Sequence, residues 1–177
     1  MIHLKKFEEV NWVSTSSTGQ EFNMNDDDNM RVQYISKNKT YYGIHEITVA
    51  NGDRKVKVRA KFDTGANSSS IDFEVAKALG FSKRLIARCV QLEKFAVPRN
   101  ITFVQQKQLE RRIYLAIRRD FPVVKDVKLV KSSSGFSVRI CVGITIEYSD
   151  RVVNTVVNIR NRAGLAADML VGLKDML

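Results

Sequence analysis

The feature that most constrains the fold is a pair of alternating apolar and polar segments joined by a short turn. In "YYGIHEITV" and "RKVKVRAKF", apolar residues recur at every second position, which is the period of a β-strand with one buried face. The "ANGD" between them contains Asn51-Gly52, a pair typical of tight hairpin turns. The sequence therefore predicts a β-hairpin whose second strand, ending at Phe62, leads directly into Asp63.

The later part of the chain is also rich in strand patterns. "VVKDVKLV" alternates in part, and "SVRICVGITIEYSDRVVNTVVNI" predicts two strands around Ser149-Asp150. A short helix is predicted in "IDFEVAKALGF", capped by Asp72 and ended by Gly80, and "MLVGLKDML" closes the chain with a short amphipathic stretch. Many short strands with few helical pieces predict a small, mainly β domain.

One long helix stands out against this pattern. The segment "RLIARCVQLEKFAVP" before it has an ambiguous pattern that Pro98 breaks. The segment "VQQKQLERRIYLAIRRDF" has the helical period, and Pro122 follows it. Its predicted apolar arc contains Leu109, Ile113, Ala116 and Ile117, and its facing basic arc contains Lys107, Arg111 and Arg118. The sequence therefore predicts a basic amphipathic helix inserted into the β domain.

The positive charge is concentrated in one internal block. Of the 177 residues, 1–50 contain 5 Lys/Arg and 7 Asp/Glu, whereas 82–131 contain 13 Lys/Arg and 4 Asp/Glu. Such a block is either a solvated face or a contact surface for an acidic protein, a nucleic acid or an anionic surface. Sequence-specific nucleic-acid binding is not favoured, because no recognisable module or interleaved exposed aromatic residues accompany the charge.

The triplet Asp63-Thr64-Gly65 has two interpretations. Asp and Gly favour turns, so the triplet alone is explained by a structural turn. The alternative is a catalytic carboxylate at the end of a strand, which the triplet alone favours less than a turn. A calcium loop is not favoured because the alternating Asp/Asn ligands and the terminal Glu are missing, and a phosphate loop would need more glycines and a Lys-Ser/Thr pair.

The context of the triplet resembles a known family. The triplet follows an alternating strand, Ala66-Asn67-Ser68-Ser69-Ser70 continue it with small residues, and the distant segment Leu170-Val171-Gly172 opens a short terminal stretch. This combination resembles the retroviral-type aspartic peptidases. It is most similar to a bacterial and phage branch known as ATP-dependent zinc proteases, which are retropepsin-like.

The similarity to that branch extends over several ordered segments. The matching residues are Gly43, Glu46, Val49, Ala60 to Ser70, Lys131 to Gly135, Arg139, Asn161-Arg162 and Met169 to Gly172. Three positions depart from the usual pattern: Leu173 stands in place of Arg, Asn161 in place of Asp, and Asp168 in place of Pro. The basic block is also longer than the usual connection.

The resemblance implies an acid-protease-type β-barrel and an endopeptidase that acts through a pair of aspartates. The chain offers a single Asp-Thr-Gly, so the pair requires Asp63 from each of two subunits, and a homodimer follows. Thr64 is expected to bridge the two loops, Gly65 to allow close backbone approach, and Ala66 to keep the cleft floor small. Leu170, Val171 and Gly172 are expected to pack beneath this loop.

The substrate side of this hypothesis is a peptide or protein. Lys107, Arg111 and Arg118 are candidate contacts for an acidic peptide, and the hairpin around Lys131–Gly135 is a candidate flap. No metal or cofactor is expected, because His3 and His45 are the only histidines and no zinc-binding helix motif or nucleotide loop is present. His45 is interpreted as a strand residue.

The organisation predicted from these patterns is a polar arm over 1–40 and a retropepsin-like domain over 41–177. The domain carries a basic helical insertion at about 82–130. We expect no membrane span or signal peptide and a cytoplasmic location, in the host or the virion if the chain is phage-encoded. The alternative function is a catalytically silent module of the same fold that binds or assembles through its basic helix.

Overall fold

The computed structural model describes residues 34–36, 39–41 and 43–176. Within these residues the elements are β1 (Tyr34–Ser36), β2 (Lys39–Tyr41), β3 (Ile44–Asn51), β4 (Arg54–Asp63), β5 (Ser70–Asp72), α1 (Phe73–Ala78), α2 (Lys83–Glu93), α3 (Phe103–Asp120), β6 (Val124–Ser132), β7 (Gly135–Tyr148), β8 (Arg151–Arg160), β9 (Met169–Gly172) and α4 (Leu173–Met176). Most of the predicted polar arm lies in 1–33, outside the described residues. The strands β1 and β2 pair with each other at its end.

Six strands form a closed barrel. They neighbour one another in the order β3-β4-β9-β5-β8-β7, and β3 pairs again with β7, which closes the ring. The closing pairs include Thr48 with Glu147 and Ala50 with Thr145. Strand β6 lies outside this ring and pairs with the first part of β7. The predicted mainly β fold with a small closed barrel and a short C-terminal helix, α4, is therefore confirmed.

The predicted hairpin is formed by β3 and β4. Asn51 pairs with Arg54, so the turn has two central residues, and Gly52 adopts a φ of +58° that favours glycine. Along β4 the residues Val58, Ala60 and Phe62 are buried, while the residues between them are more exposed. This alternation delivers Asp63 to the end of a strand whose inner face is fixed in the barrel core.

The barrel interior is filled by large apolar side chains. Phe62 and Tyr148 meet edge to face with ring centroids 5.4 Å apart, which is a favourable aromatic geometry. Fully buried members of this core include Ile47, Ile71, Leu79, Leu85, Ile140, Ile146, Ile159 and Met169. The core therefore joins the β3–β4 hairpin and the C-terminal segment to the long hairpin of β7 and β8.

The helices begin where local sequence signals place them. The Asp72 side chain accepts the Glu74 N–H at 3.0 Å to cap α1, and Gly80 follows the helix with a φ of +88°. Both features confirm the sequence prediction. A capping box starts α3, because Thr102 and Gln105 each bond the other's backbone N–H.

The insertion differs in detail from the prediction of one basic helix. The segment "RLIARCVQLEKFAVP", whose pattern was ambiguous, supplies a second helix, α2. The helical part of the insertion ends at Asp120 rather than at about 130, and 124–132 form the strand β6. On α3, Ile117 is buried as predicted, whereas Ala116 is exposed and Glu110 is buried. Leu109 and Ile113 also pack on the core, so the predicted arc is confirmed except at Ala116, and the buried face extends to Glu110. None of the helices in the described ranges is long and apolar enough to cross a membrane.

Candidate active site

Asp63 is the last residue of β4, and its position is set by a neighbouring strand from the other end of the chain. β4 runs parallel to β9, with Phe62 opposite Val171 and Asp63 opposite Gly172. Parallel strands end on the same edge of a sheet, so the Asp63 carboxylate and the C-terminal segment meet there. The side chain is half-buried at this edge.

The turn after Asp63 is organised around its carboxylate. The Gly65 N–H donates to Asp63 Oδ1 at 2.9 Å, and the Ala66 N–H donates to the Asp63 carbonyl at 3.1 Å. A Cβ at position 65 would lie 3.1 Å from Oδ1, so glycine allows this close approach. Asp63 Oδ2 has no hydrogen-bond partner among the described residues, while Thr64 and Gly65 are exposed. One carboxylate oxygen is therefore oriented and the other remains available.

The segment after the turn is bonded residue by residue to the C-terminal segment. The Ala66 carbonyl accepts the Leu173 N–H at 2.7 Å, and the Asn67 carbonyl accepts the Lys174 N–H at 3.2 Å. The Gly172 N–H donates to Ser69 Oγ at 2.9 Å. These bonds hold 66–69 against 172–174, so the loop that carries Asp63 has a defined backbone.

This contact requires glycine at position 172, because there is no room for a side chain there. A Cβ at this position would lie 2.6–2.8 Å from the backbone atoms of Ser68, a separation that real structures do not tolerate. The glycine therefore lets two backbone segments touch. Leu173 contributes its backbone N–H to this contact.

A buried carboxylate lies beneath the loop. Asp175, only 3% exposed, accepts hydrogen bonds from the hydroxyls of Ser69 and Thr155, each at 2.5 Å. Its own carbonyl accepts the Tyr148 hydroxyl at 2.8 Å. Buried carboxylates need such partners, and here they connect the loop, β8 and α4. Asp175 thus supports the loop from below.

A buried arginine fixes the other side of the site. Arg162 donates through Nε to the Ala167 carbonyl at 2.9 Å and through Nη1 to Ser70 Oγ at 3.0 Å. Its backbone N–H donates to the Asp72 carboxylate. Burial, and then the nearby charge of Arg160, lower the pKa of Arg162. This side chain ties the β8–β9 connection to β5.

The predicted site residues fall into two groups. Leu170, Val171 and Gly172 lie on β9, between the strands that precede and follow the Asp63 loop. The basic residues lie on α3, which packs on β6. There, Lys107 pairs with Glu110 at 2.9 Å and stacks over Phe103, and Arg118 stacks over the Tyr114 ring.

The candidate flap is the tight turn between β6 and β7. Ser132 pairs with Gly135, and Ser132 Oγ contacts Ser134 Oγ at 2.9 Å. Gly135 has a φ of +117°. The turn is mostly exposed at the end of a long two-stranded extension, as a covering hairpin would need to be.

Sequence reasoning missed the support beneath the loop. Asp175 lies in an unremarkable "LKDML" ending, and Ser69 is one of three consecutive serines. No pattern in the sequence distinguishes them, because their roles depend on residues about a hundred positions apart. Within the described ranges, no group of three or more His, Cys, Asp or Glu residues could hold a metal ion.

Comparisons with known proteins give little beyond this geometry. No family model and no curated protein matches the sequence. Among solved structures, the chain is similar to a protein of unknown function (DUF785) from Legionella pneumophila, at 20% identity and a TM-score of 0.33. That match covers 73% of this chain and 81% of the other. Similarity at this level carries no argument about function.

Proposed function

We propose that this protein is an aspartic endopeptidase of retropepsin type, in which Asp63 from each of two subunits forms the catalytic pair. The observation that supports this most directly is the Asp63 turn. It combines a strand-end carboxylate, a Gly65 N–H bonded to Oδ1, and a free Oδ2 at an exposed edge. The Gly65 N–H orients one oxygen of this carboxylate, and the other makes no hydrogen bond to a described residue and is left for a water molecule or a substrate.

The chemistry follows from placing two such carboxylates side by side. Like charges about 3 Å apart cannot both ionise, so the pair holds one proton. The ionised member takes a proton from water, whose oxygen adds to the peptide carbonyl carbon, while the protonated member donates to the carbonyl oxygen. A proton then passes to the amide nitrogen, the C–N bond breaks, and a carboxylate and an amine leave.

The residues around Asp63 have separate roles in this scheme. Thr64 is exposed beside Asp63 and is available to a partner loop, as bridging would require. Gly65 orients the carboxylate through its N–H. Ala66 and Gly172 belong to the backbone contacts that fix the loop. Precise positioning of this kind is what a catalytic pair needs.

The test of this function is Asp63→Asn. We expect cleavage of a peptide library to fall by at least about 100-fold, because the general acid–base pair is lost, while the dimer persists in sedimentation. The matched control is Asp53→Asn, the same change at an exposed position in the β3–β4 turn. Full activity of the Asp63→Asn variant would end the hypothesis, as would a wild-type monomer that cleaves.

A second candidate function is a non-enzymatic binding or assembly module. The observation that favours it is the exposed surface of the insertion, where Phe103 and Val104 are 71% and 63% exposed next to basic residues of α3. Exposed apolar side chains of this size often mark contact surfaces. Pepstatin-sensitive cleavage of any peptide by the purified wild-type protein would count against this alternative.

A further inference from the structure

A groove of about 570 Å³ opens beside the Asp63 loop, on the outer face of β6, β7 and β8. One side is formed by Asn67 and Ser68, which lie four and five residues after Asp63 in the same loop. The facing side is β6, and the floor includes Cys141, Val156 and Asn158 from β7 and β8. The groove therefore shares a wall with the candidate active site.

The lining of this groove is strongly basic. Its charged residues are Lys125, Lys128, Lys131 and Lys174, with Asp126 the one acidic residue among those that line it. Asp126 pairs with Lys128 at 2.9 Å. Lys125 and Lys131 have no ion-pair partner in the described part of the chain. Lys125 and Lys131 are therefore exposed positive charges that no carboxylate of the described residues neutralises.

Lys174 is held in place at the loop side of the groove. Its Nζ donates to the Thr155 hydroxyl at 2.9 Å and to the Val156 carbonyl at 2.6 Å. The Asp175 carboxylate lies 3.8 Å away, but it is buried and already accepts two hydroxyl hydrogen bonds. An ordered ammonium group loses less side-chain entropy on binding an anion than a freely moving one.

Further positive charge lies behind the floor. Arg139 donates to the Oδ1 of Asn158, whose Nδ2 in turn donates to the Ser69 carbonyl. Burial, and then the charge of Arg160, lower the pKa of Arg139 to about 10. This value leaves the guanidinium charged at neutral pH, so the local field remains positive.

The length and surface of the groove suit an extended chain. Lys125 to Lys131 are seven residues of β6, about 20 Å from end to end at roughly 3.3 Å per residue, which matches about seven residues of an extended peptide. Val130 and Val156 provide apolar contact between the ammonium groups. No aromatic residue lines the groove, so it lacks the stacking platforms that single-stranded nucleic acids use.

We propose that this groove binds an extended acidic peptide segment through its Asp and Glu side chains. Its place beside Asp63 makes it the specificity surface for peptides cleaved there, and that last step rests on the proposed function. The binding itself does not depend on cleavage. This surface is distinct from the α3 residues predicted to contact an acidic ligand.

The test uses the full chain carrying Asp63→Asn, so that binding is measured without cleavage. The probe is a fluorescein-labelled decapeptide with six Asp or Glu residues, compared with its Asn/Gln counterpart by fluorescence anisotropy. We expect Lys125→Gln with Lys131→Gln to weaken binding of the acidic peptide about tenfold. The matched control is Lys83→Gln with Lys94→Gln on and after α2, which removes the same charge from exposed sites outside the groove.

Each outcome decides the proposal. A loss confined to the Lys125/Lys131 variant, with no binding of the Asn/Gln peptide, supports the groove. Equal losses in both double variants would show a general charge effect and overturn it. Preferential binding of a single-stranded oligonucleotide of equal charge at the same lysines would overturn the assignment to peptides. If Asp63→Asn leaves cleavage intact but the acidic peptide still binds at these lysines, the proposed catalytic role of Asp63 is wrong and the groove proposal stands.

Discussion

The Asp63 loop and the helical insertion both lie at the surface of the barrel, yet they are held in different ways. The loop is fixed by backbone bonds to another chain segment, such as Leu173 N–H to the Ala66 carbonyl at 2.7 Å. The insertion is fixed by side chains, with Ile117 and Glu110 turned toward β6. Backbone bonding leaves little room for displacement, whereas side-chain packing of a helix tolerates variation.

This difference matches what each region would need to do. A catalytic carboxylate must be held within a fraction of an ångström, and a close backbone contact provides that. The insertion exposes Phe103, Val104 and Leu115, so part of its apolar surface remains uncovered. We expect substitutions in the loop contact to be costly and most substitutions on the insertion to be mild.

The largest effect is expected from Gly172→Ala. The added Cβ would lie 2.6–2.8 Å from backbone atoms of Ser68, so the loop or β9 must move. We expect the free energy of unfolding to fall by about 3 kcal/mol or more. Urea denaturation measures it. In the control Gly143→Ala the nearest atom is a flexible Lys125 carbon at 3.7 Å, and little change is expected. Equal stability of the two variants would refute the close contact.

A smaller loss is expected from Asp175→Ala. The change leaves the buried hydroxyl of Ser69 and the half-buried hydroxyl of Thr155 without their acceptor, at a cost of about 2–3 kcal/mol. Thermal or urea unfolding measures the loss. Asp126→Ala is the control, because its ion pair with Lys128 is partly exposed and should contribute about 1 kcal/mol or less. A loss no greater than the control would remove Asp175 from the support of the loop.

The insertion is tested by Glu110→Ala. Its carboxylate accepts the buried Leu129 N–H at 2.9 Å, so its removal should cost about 1–2 kcal/mol. Lys107→Ala is the control, since Lys107 is 45% exposed and its pair contributes less. Hydrogen exchange should show the change in α3 and β6 rather than in the Asp63 loop. Exchange that increases equally in the loop would mean that the two regions are not held separately.

The smallest effect is a loss of stability at high pH. Burial raises the pKa of both Cys89 and Cys141 from 9.0 to about 12. Because the thiol pKa is higher in the folded than in the unfolded protein, the contribution of each buried thiol to the free energy of unfolding is complete below pH 9. That contribution is lost as the pH rises toward 12. Near pH 9.5 we expect a loss of about 1 kcal/mol per thiol. Urea titrations of wild type and Cys141→Ala measure it, and an identical pH dependence of the two proteins would contradict the prediction.

The reactivity of the same two thiols tests whether the insertion and the barrel open independently. Cys89 lies on α2 and Cys141 on β7, and both are almost fully buried. Neither should react with a thiol reagent at neutral pH without an opening of the structure. If Cys89 reacts much faster than Cys141, the insertion opens independently of the barrel.

Much of the fold followed from local patterns. The β3–β4 hairpin was predicted from its alternation and Asn51-Gly52, and α1 from Asp72 and Gly80, since turns and caps depend on neighbouring residues. The helix α2 remained ambiguous, and on α3 the prediction wrongly placed Ala116 on the buried face and missed Glu110. Periodicity alone does not say where β6 will pack, and that packing buried Glu110 instead of Ala116.

Local sequence patterns were enough to predict the β3–β4 hairpin, the strands of β7 and β8, the cap of α1 and the position of Asp63 at a strand end, because these depend on residues close together in the chain. It also supplied the resemblance that suggested a peptidase. Three contacts are visible only in the folded structure: Gly172 touches Ser68, Asp175 accepts a hydrogen bond from Ser69, and Lys174 lines one groove with the lysines of β6. Those contacts join residues about fifty to a hundred positions apart, and they exist because the barrel brings β9 between β4 and β5.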